Sequence, residues 1–281
     1  MKLSIITINL NNSSGLRKTI VSVLKQTSHD FEFIVVDGAS TDGSVELIQS
    51  LDFCTLHSFQ WISETDLGIY NAMNKGIRMA KGEYIQFLNS GDTLAANDVT
   101  EKILQVIDNK EQRTKDNEGV LILYGNMLKP LQKRIHRDRG FAGRQPTMLD
   151  FYAGTLNHSS AFIKRSLFET YGLYDELLRI VSDWKWFLQV IALHGVIPVY
   201  KDIDVTVFDM SGISSINSDL DKMERKEVLE SILPQSVLSD YESWSFPIEQ
   251  ISRINRYWII SKMFWLTERV LFKYDKCFRR Y

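Results

Sequence analysis

Short apolar runs alternate with helical hydrophobic repeats in the first part of the chain. β-Branched and aromatic residues run together where buried strands are predicted, at residues 3–8, 31–36, 56–62 and 84–88. Apolar positions recur every three or four residues where helices are predicted, at 15–26, from 42, from 68 and across 99–107. This alternation predicts an α/β fold built on a doubly wound, mostly parallel sheet.

The second half of the chain has a less regular pattern. A polar, charged loop at 110–119 is followed by predicted strands at 120–124, 158–163, 197–200 and 205–208. Helices are predicted at 165–171 and 182–194. Ser182 is a good N-cap for the second of these helices.

The tail from residue 216 is predicted to be a helical extension. A charged helix at 221–233 precedes the segment 246–281, in which basic residues alternate with aromatic and aliphatic ones. Between Glu249 and Tyr281 there are eight Lys or Arg residues against three acidic residues, a net charge of +5. Such a helix suits the headgroup level of an anionic membrane. Packing onto the main domain, or a dimer contact, explains the same pattern.

Composition and charge narrow the classes of function. The chain has 281 residues, 44% of them hydrophobic, which is enough for one large core or two modest ones. Its net charge of −2 gives no general basic field, so no nucleic-acid partner is expected. The two cysteines, Cys54 and Cys277, form no zinc or disulfide pattern, which predicts reduced thiols in the cytoplasm. No apolar run reaches the 18 residues of a membrane span.

Three carboxylates fall at or just after predicted strand ends: Asp37, Asp66 and Asp92. Parallel strands with short loops would bring these positions to one edge of the sheet, where ligands bind in open α/β folds. Each residue alone is equally a helix cap or a turn residue. Asp92 follows Gly91, which lets the backbone come close to a ligand, and a carboxylate there suits a divalent cation that holds a phosphate.

Two common phosphate-binding motifs are missing from the sequence. Gly43 is followed by Ser44 and Val45, so the Gly-Lys-Ser/Thr of a P-loop does not occur there. The first predicted strand is followed by NLNNSSG, which is not the GxGxxG of a dinucleotide fold. A metal ion at Asp92 is the remaining obvious way to neutralise phosphates.

Three motifs resemble those of inverting family-2 glycosyltransferases with the GT-A fold: SIITINLNN, FIVVDGASTDGS and SETDLGIYNAMNKGIRMAKGEYIQFLNSGD. The likeness is greatest to bacterial exopolysaccharide and O-antigen enzymes of the colanic-acid type, and it covers about residues 3–215. It implies a nucleotide-sugar-binding half at 1–115 and an acceptor-binding half of the same GT-A domain at 116–215. The C-terminal helical extension at 216–281 follows.

The resemblance also implies which residues hold the donor. The residues implied to bind the nucleotide-sugar are Thr7, Asn9, Asp37, Asp66, Asn74 and Asn89. The residue implied to bind the metal ion, Mn²⁺ or Mg²⁺, is Asp92, which lies in the stretch that corresponds to the family's DxD region. Many members carry two or three Asp there, whereas this chain has Asn89 and Gly91 in the other places. Met73 stands where many members have an Arg near the phosphates, so positive charge would have to come from elsewhere. The basic residues at 129–144 could supply it as a clamp for the diphosphate or acceptor, or they form a solvated face.

In the second half, HSSAFIKRSLFETYGLYDE and SDWKWFL resemble the family's acceptor-side block. An acidic residue at a helix start is the general base there, and the corresponding residue is Asp183. The resemblance makes His158 a candidate at the diphosphate or the acceptor. Trp184 and Trp186 could offer the acceptor a face for sugar stacking. Trp184 also fits the buried stripe of its predicted helix.

The predicted function is therefore that of a metal-dependent inverting hexosyltransferase. It would move a sugar from a UDP-sugar to a polyprenyl-diphosphate-linked saccharide at the cytoplasmic face of the inner membrane. The tail would make a peripheral membrane contact or a dimer. A sugar nucleotidyltransferase and a non-catalytic glycan-binding or scaffold protein on the same fold are the alternatives.

Overall fold

The computed structural model describes residues 1–109, 119–132, 134–212, 217–243 and 258–278. The chain divides into two compact units, one at 1–226 and the other at 227–281. The predicted loop at 110–119 lies outside the described residues apart from its last position, and so do residues 246–257 of the predicted tail segment.

Nine strands of the described chain form one sheet: β1 (Leu3–Asn9), β2 (Phe31–Asp37), β3 (Ser58–Ser63), β4 (Tyr84–Phe87), β5 (Thr93–Leu94), β6 (Ile122–Leu131), β7 (Arg134–Asp138), β8 (Ala161–Lys164) and β9 (Pro198–Val207). Their order is β3-β2-β1-β4-β8-β6-β9-β5, with β7 paired to β6. The predicted parallel arrangement holds for the first four strands of this path. Beyond β4 the sheet is mixed, since β8 is antiparallel to both β4 and β6.

The helices lie between and after these strands: α1 (Ser13–Leu24), α2 (Ser44–Ser50), α3 (Ile69–Met79), α4 (Val99–Asp108), α5 (Met148–Ala153), α6 (Ser166–Tyr171), α7 (Ser182–Phe187), α8 (Ser218–Ile232) and α9 (Trp258–Phe278). Residues 235–243 are also helical. A 3₁₀ turn at His158–Ser160 precedes β8, and a π-helical segment at Leu188–Leu193 continues α7. None of the described helices combines the length and apolarity needed to cross a bilayer.

The structure differs from the sequence-based expectation in several places. The first three residues of the strand predicted at 158–163 form the 3₁₀ turn, and the helix predicted at 182–194 is π-helical from Leu188. The strands predicted at 197–200 and 205–208 are one strand, β9, whose pairing with β6 shifts register between them. The polar residues there include Asp202 and Asp204, which pair with Arg137 of β7. Helix α5 was not expected from its short pattern, and it begins with a capping box between Thr147 and Asp150.

The core is built around the central parallel strands. Every residue of β2 is buried, and in β1 only Ile8 is partly exposed. Leu16, Ile20 and Val23 form the buried stripe of α1 and belong to the same apolar cluster as these strands. Each large apolar side chain buried in this way contributes roughly 1.5–3 kcal/mol. This burial fixes the position of the strand ends.

Gly76→Ala is expected to destabilise the fold by about 1–3 kcal/mol, because a Cβ at this position of α3 would lie 2.4 Å from Cγ2 of Ile6. Ile6 is fully buried on β1 and has no room to move aside. Denaturant unfolding measures the change. In an Ile6→Ala background the same substitution should cost less, and an equal cost in both backgrounds would contradict this account of the packing.

Candidate active site

The ends of β1, β2 and β3 form one row of polar residues. Asn9, Asp37 and Ser63 are aligned across the three strands. Asn9 Nδ2 donates to Asp37 Oδ1 at 2.8 Å, and Ser63 Oγ donates to Asp37 Oδ2 at 2.7 Å. The backbone N–H and the hydroxyl of Ser40 donate to the same carboxylate at 2.9 and 2.6 Å. Asp37 is therefore a buried anion surrounded by donors.

Hydrogen bonding decides the charge of Asp37. Burial alone would raise the pKa of this carboxyl, but the hydrogen bonds from Ser40, Ser63 and Asn9 hold the pKa below its usual value. The group is therefore ionised at neutral pH. Oδ1 of Asn9 is buried, and none of the described residues donates a hydrogen bond to it. An unpaired buried acceptor is costly, so a ligand donor is expected beside Asn9.

Asp66 lies next to this row. A Cβ on Gly38 would be 3.0 Å from Asp66 Oδ2, which places the Asp66 carboxylate against the backbone that follows Asp37. The side chain of Asp66 is 10% exposed and accepts a hydrogen bond from Lys75 Nζ at 2.6 Å. Thr7, in contrast, faces β4, because its hydroxyl donates to the Leu88 carbonyl at 2.6 Å.

Asn74 connects α3 to the second half of the domain. Its Nδ2 donates to the Tyr174 carbonyl and to Glu176 Oε1, both at 2.8 Å, and its Oδ1 accepts from the Tyr174 N–H at 3.0 Å. The side chain is buried. These contacts show Asn74 holding the segment 174–176 in place, and its predicted contact with the donor stays a prediction.

Asp92 lies in the turn after β4 and is 3% exposed. Its Oδ1 accepts from the backbone N–H of Asp209 at 2.8 Å. Burial raises the pKa of this carboxyl to about 7, against the lowering effects of that hydrogen bond and of His158. A cation at this position would favour the ionised form of Asp92.

Asp209 is a site residue that the sequence analysis did not find. A Cβ on Gly91 would lie 2.3 Å from Asp209 Oδ2, so only a glycine leaves space for this carboxylate. The φ angle of Gly91 is +107°, which also favours glycine. Asp209 follows the end of β9, and an Asp directly after a strand is the same signal that identified Asp37 and Asp92.

The candidate metal ligands at this end of the sheet are oxygen atoms. Within the described ranges, no three His, Cys, Asp or Glu residues are grouped closely enough to hold a metal ion. Asp92 accepts from the Asp209 backbone, the Asp209 carboxylate lies against Gly91, and the nearby Asn89 Oδ1 is buried without a partner among those residues. This set fits a Mn²⁺ or Mg²⁺ ion that takes its other ligands from water and a phosphate.

Asp183, on the first turn of α7, is joined to the Asn89–Asp92 turn through His158. Asp183 Oδ2 is 2.9 Å from His158 Nδ1, and His158 Nε2 is 3.3 Å from Asn89 Nδ2. Asp183 Oδ1 accepts from the Tyr70 hydroxyl at 2.7 Å. Burial would raise the pKa of Asp183, but the bonds from His158 and Tyr70 and the charge of His158 lower it overall. The Asp183 side chain is 14% exposed.

Trp184 is part of the core. Its surface is 1% exposed, its Nε1 donates to the Phe151 carbonyl at 2.7 Å, and the Arg225 guanidinium lies 4.6 Å from the ring centre. Trp186 is buried as well. The stacking role considered for Trp184 has no support in this arrangement.

A family model for glycosyl transferase family 2 matches residues 4–172. The chain belongs to this family. A PGL/p-HBAD biosynthesis glycosyltransferase of Mycobacterium tuberculosis is 26% identical over 225 residues, which cover 79% of this chain and 82% of the relative. An uncharacterized glycosyltransferase of the same species is 30% identical over 215 residues, or 75% of this chain and 76% of the relative.

Solved structures share the fold of this glycosyltransferase. Residues 1–349 of Staphylococcus aureus TarS in complex with UDP-GlcNAc give a TM-score of 0.63 at 18% identity, with 86% of this chain and 70% of that chain covered. The mannosyltransferase PcManGT of Pyrobaculum calidifontis with GDP-Man and Mn²⁺ gives 0.61 at 15% identity, covering 96% and 80%. The predicted α/β fold of the GT-A type is confirmed.

The basic stretch of the glycosyltransferase at 129–144 is largely neutralised by its own acidic neighbours. The ion pairs are Lys129 with Asp138, Arg137 with Asp202 and Asp204, Arg139 with Asp202, and Arg144 with Asp150. For Lys129, Arg137, Arg139 and Arg144 this pairing favours the solvated face over the clamp, because each of these four cations already has a partner.

In the metal-free glycosyltransferase, Asp92→Asn is expected to become more stable than the wild type as the pH rises from about 5 to about 8. The folded state keeps a proton on Asp92 up to a pKa of about 7, whereas the unfolded chain releases it near 3.8, so wild-type stability falls over this range. Over this range the difference in unfolding free energy changes by about 3 kcal/mol. Thermal melts at a series of pH values measure it.

Asp37→Asn is the matched control, because the pKa of Asp37 is lowered and this carboxyl is ionised throughout the range. The difference in stability between Asp37→Asn and the wild type should stay constant from about pH 5 to about pH 8. An equally constant offset for Asp92→Asn would mean that Asp92 does not hold a proton in the folded state.

Proposed function

We propose that this family 2 glycosyltransferase is a metal-dependent, inverting enzyme that transfers a hexose or N-acetylhexosamine from a UDP-sugar to a lipid-linked oligosaccharide. The observation that carries the proposal is the chain of contacts from Asn89 through His158 to Asp183. It joins a candidate general base to the turn that carries Asp92. The donor and the acceptor would then meet between these two carboxylates.

The donor nucleotide would be bound at the row formed by Asn9 and Asp37. Asp37 is ionised and could accept from a base amide or a ribose hydroxyl, and the unpaired Asn9 Oδ1 offers a second acceptor. Asp66 lies beside this row. TarS binds UDP and UDP-GlcNAc and PcManGT binds GDP-Man, which supports a nucleotide diphosphate sugar as the donor.

Mn²⁺ or Mg²⁺ would be held by Asp92 and Asp209. When bound, the ion supplies positive charge that stabilises the departing diphosphate. Both carboxylates lie at the end of the sheet that carries Asn89 and His158, so the diphosphate would sit at that end. PcManGT with GDP-Man and GalNAc-T7 with UDP each bind Mn²⁺, which supports a divalent ion here.

Asp183 would take the proton of the acceptor hydroxyl. The hydroxyl oxygen would attack the anomeric carbon from the side opposite the diphosphate, the bond from that carbon to the diphosphate oxygen would break, and the configuration would invert. The lowered pKa keeps Asp183 ionised and ready to accept the proton. His158 would orient the carboxylate through its Nδ1, and lies where it could also contact the diphosphate or the acceptor.

The acceptor would be a polyprenyl-diphosphate-linked saccharide of bacterial surface-polysaccharide synthesis, at the cytoplasmic face of the inner membrane. The resemblance to colanic-acid and O-antigen enzymes supports this assignment. Helix α9 supports it too, because Ile260, Met263 and Leu271 are more than half exposed while Lys262 and Arg269 lie on the other side of the helix. A dimer contact through the same apolar face is the alternative.

Asp183→Asn is expected to keep nucleotide binding and to lose about 10²–10⁴-fold in turnover, because an amide cannot accept the hydroxyl proton. Turnover is followed as UDP release from UDP-sugars with Mn²⁺ and an acceptor, and binding as the thermal shift caused by UDP. Glu169→Gln, on the exposed surface of α6, is the matched control and should keep full turnover. Turnover near the wild-type level in Asp183→Asn would refute the assignment.

The combined variant Ile260→Asp, Met263→Asp and Leu271→Asp is expected to lose binding to vesicles that contain phosphatidylglycerol, because charges on the apolar face of α9 oppose burial at the interface. Glu268→Gln on the same helix should bind like the wild type. Sedimentation with vesicles and light scattering are the measurements. Unchanged vesicle binding would end the membrane proposal, and a halved mass would favour the dimer.

A further inference from the structure

The hydroxyl of Tyr70 lies between two acceptors. Tyr70 is on the first turn of α3 and is 4% exposed. Its oxygen is 2.5 Å from the carbonyl oxygen of Ile180 and 2.7 Å from Asp183 Oδ1. A phenol has one proton to donate. It can therefore satisfy only one of these two acceptors fully at any moment.

The two acceptors differ in charge. Hydrogen bonds to an ionised group are roughly twice as strong as those to a neutral one, so an ionised Asp183 takes the phenol proton in preference to the Ile180 carbonyl. A protonated Asp183 loses this advantage, and the carbonyl becomes the better acceptor. The preferred partner of Tyr70 is thus set by the charge on Asp183.

We propose that Tyr70 is a positioning residue for Asp183, and that its hydroxyl proton turns from Asp183 to the Ile180 carbonyl when Asp183 accepts a proton from the sugar hydroxyl. This inference rests on the proposed function of Asp183 as the base. The phenol gives up no proton in the step, because rotation about its C–O bond is sufficient. The proton from the acceptor stays on Asp183 until it leaves to solvent.

The surroundings hold both acceptors in place. Glu224 of α8 accepts from the backbone N–H groups of Arg179 and Ile180 at 2.7 and 3.0 Å, which fixes the turn that carries the Ile180 carbonyl. Burial, and then the charge of Asp183, raise the pKa of Tyr70 well above its ordinary value, so the phenol stays protonated. Tyr70 is therefore always a donor.

Other titratable groups also face Asp183. His158 donates from the 3₁₀ turn before β8, and His158 itself feels the charge of Asp92. Tyr174 lies near, with its ring centre 5.6 Å from that of Tyr70, and the charge of Asp183 contributes to its raised pKa. The Tyr174 hydroxyl has no hydrogen-bond partner within the described part of the chain.

Tyr70→Phe is expected to move the acidic limb of the kcat/KM profile to higher pH by about one to two units. The lost donor stabilised the ionised form of Asp183, so its removal raises the pKa of the base, and a higher pH is then needed to ionise it. The profile is measured by UDP release at saturating Mn²⁺. A loss of turnover without a shift of the limb would overturn the inference.

Tyr174→Phe is the matched control, since it removes a buried hydroxyl from the same aromatic cluster without touching Asp183. Its acidic limb should coincide with that of the wild type. An equal shift in both variants would overturn the inference, because it would reflect a general change of the cluster.

A second variant covers the case in which Tyr70→Phe does not fold. Incorporation of 3-fluorotyrosine at position 70 keeps the size of the side chain and makes the phenol a stronger donor, so the limb should move to lower pH. A limb that stays in place would overturn the inference. Asp183→Asn distinguishes a failure of the proposed function from a failure of the inference about Tyr70. Normal turnover in Asp183→Asn refutes the proposed function. Loss of turnover in Asp183→Asn, together with an unshifted acidic limb in the Tyr70 variant, refutes only the role of Tyr70.

Discussion

The pairing of β1 with parallel neighbours on both sides is the constraint on which the site depends. β2 and β4 run in the same direction as β1, so Asn9, Asp37 and the turn at 89–92 leave the sheet at the same edge. The pairing continues past the strand ends, where the Ser90 N–H donates to the Ile8 carbonyl at 3.1 Å. Apolar burial of these strands on both faces holds the polar edge in place.

Local patterns were enough to predict much of this. β1, β2 and α3 follow from apolar runs and helical periodicity, and their observed bounds lie within a few residues of the expected ones. The contacts of Tyr70 with Asp183 and of Asp209 with Asp92 could not be predicted in the same way. Their partners, Asp183 and Asp92, are 113 and 117 residues away, and nothing in the local sequence encodes such a contact. β9 was divided in the prediction because the partners of its polar residues lie on another strand.

The site also concentrates polar groups that oppose folding. Asp92 is buried with a raised pKa, and acceptor atoms of Asn9 and Asn89 are buried without partners among the described residues. Each such group costs free energy that the apolar core must offset. Their position at one edge of the sheet is typical of a site that is completed by a ligand, since a bound cation or donor group removes these costs.

Helix α3 belongs to both halves of the domain at once. Its N-terminal end follows Asp66, while Tyr70, Asn71 and Asn74 bond to residues between 174 and 183. A chimera that took residues 116–215 from a relative would break these bonds unless α3 came with them. Recombination between members of the family should therefore favour crossover points upstream of α3, because the helix and the segment 174–183 then stay together as a matched pair.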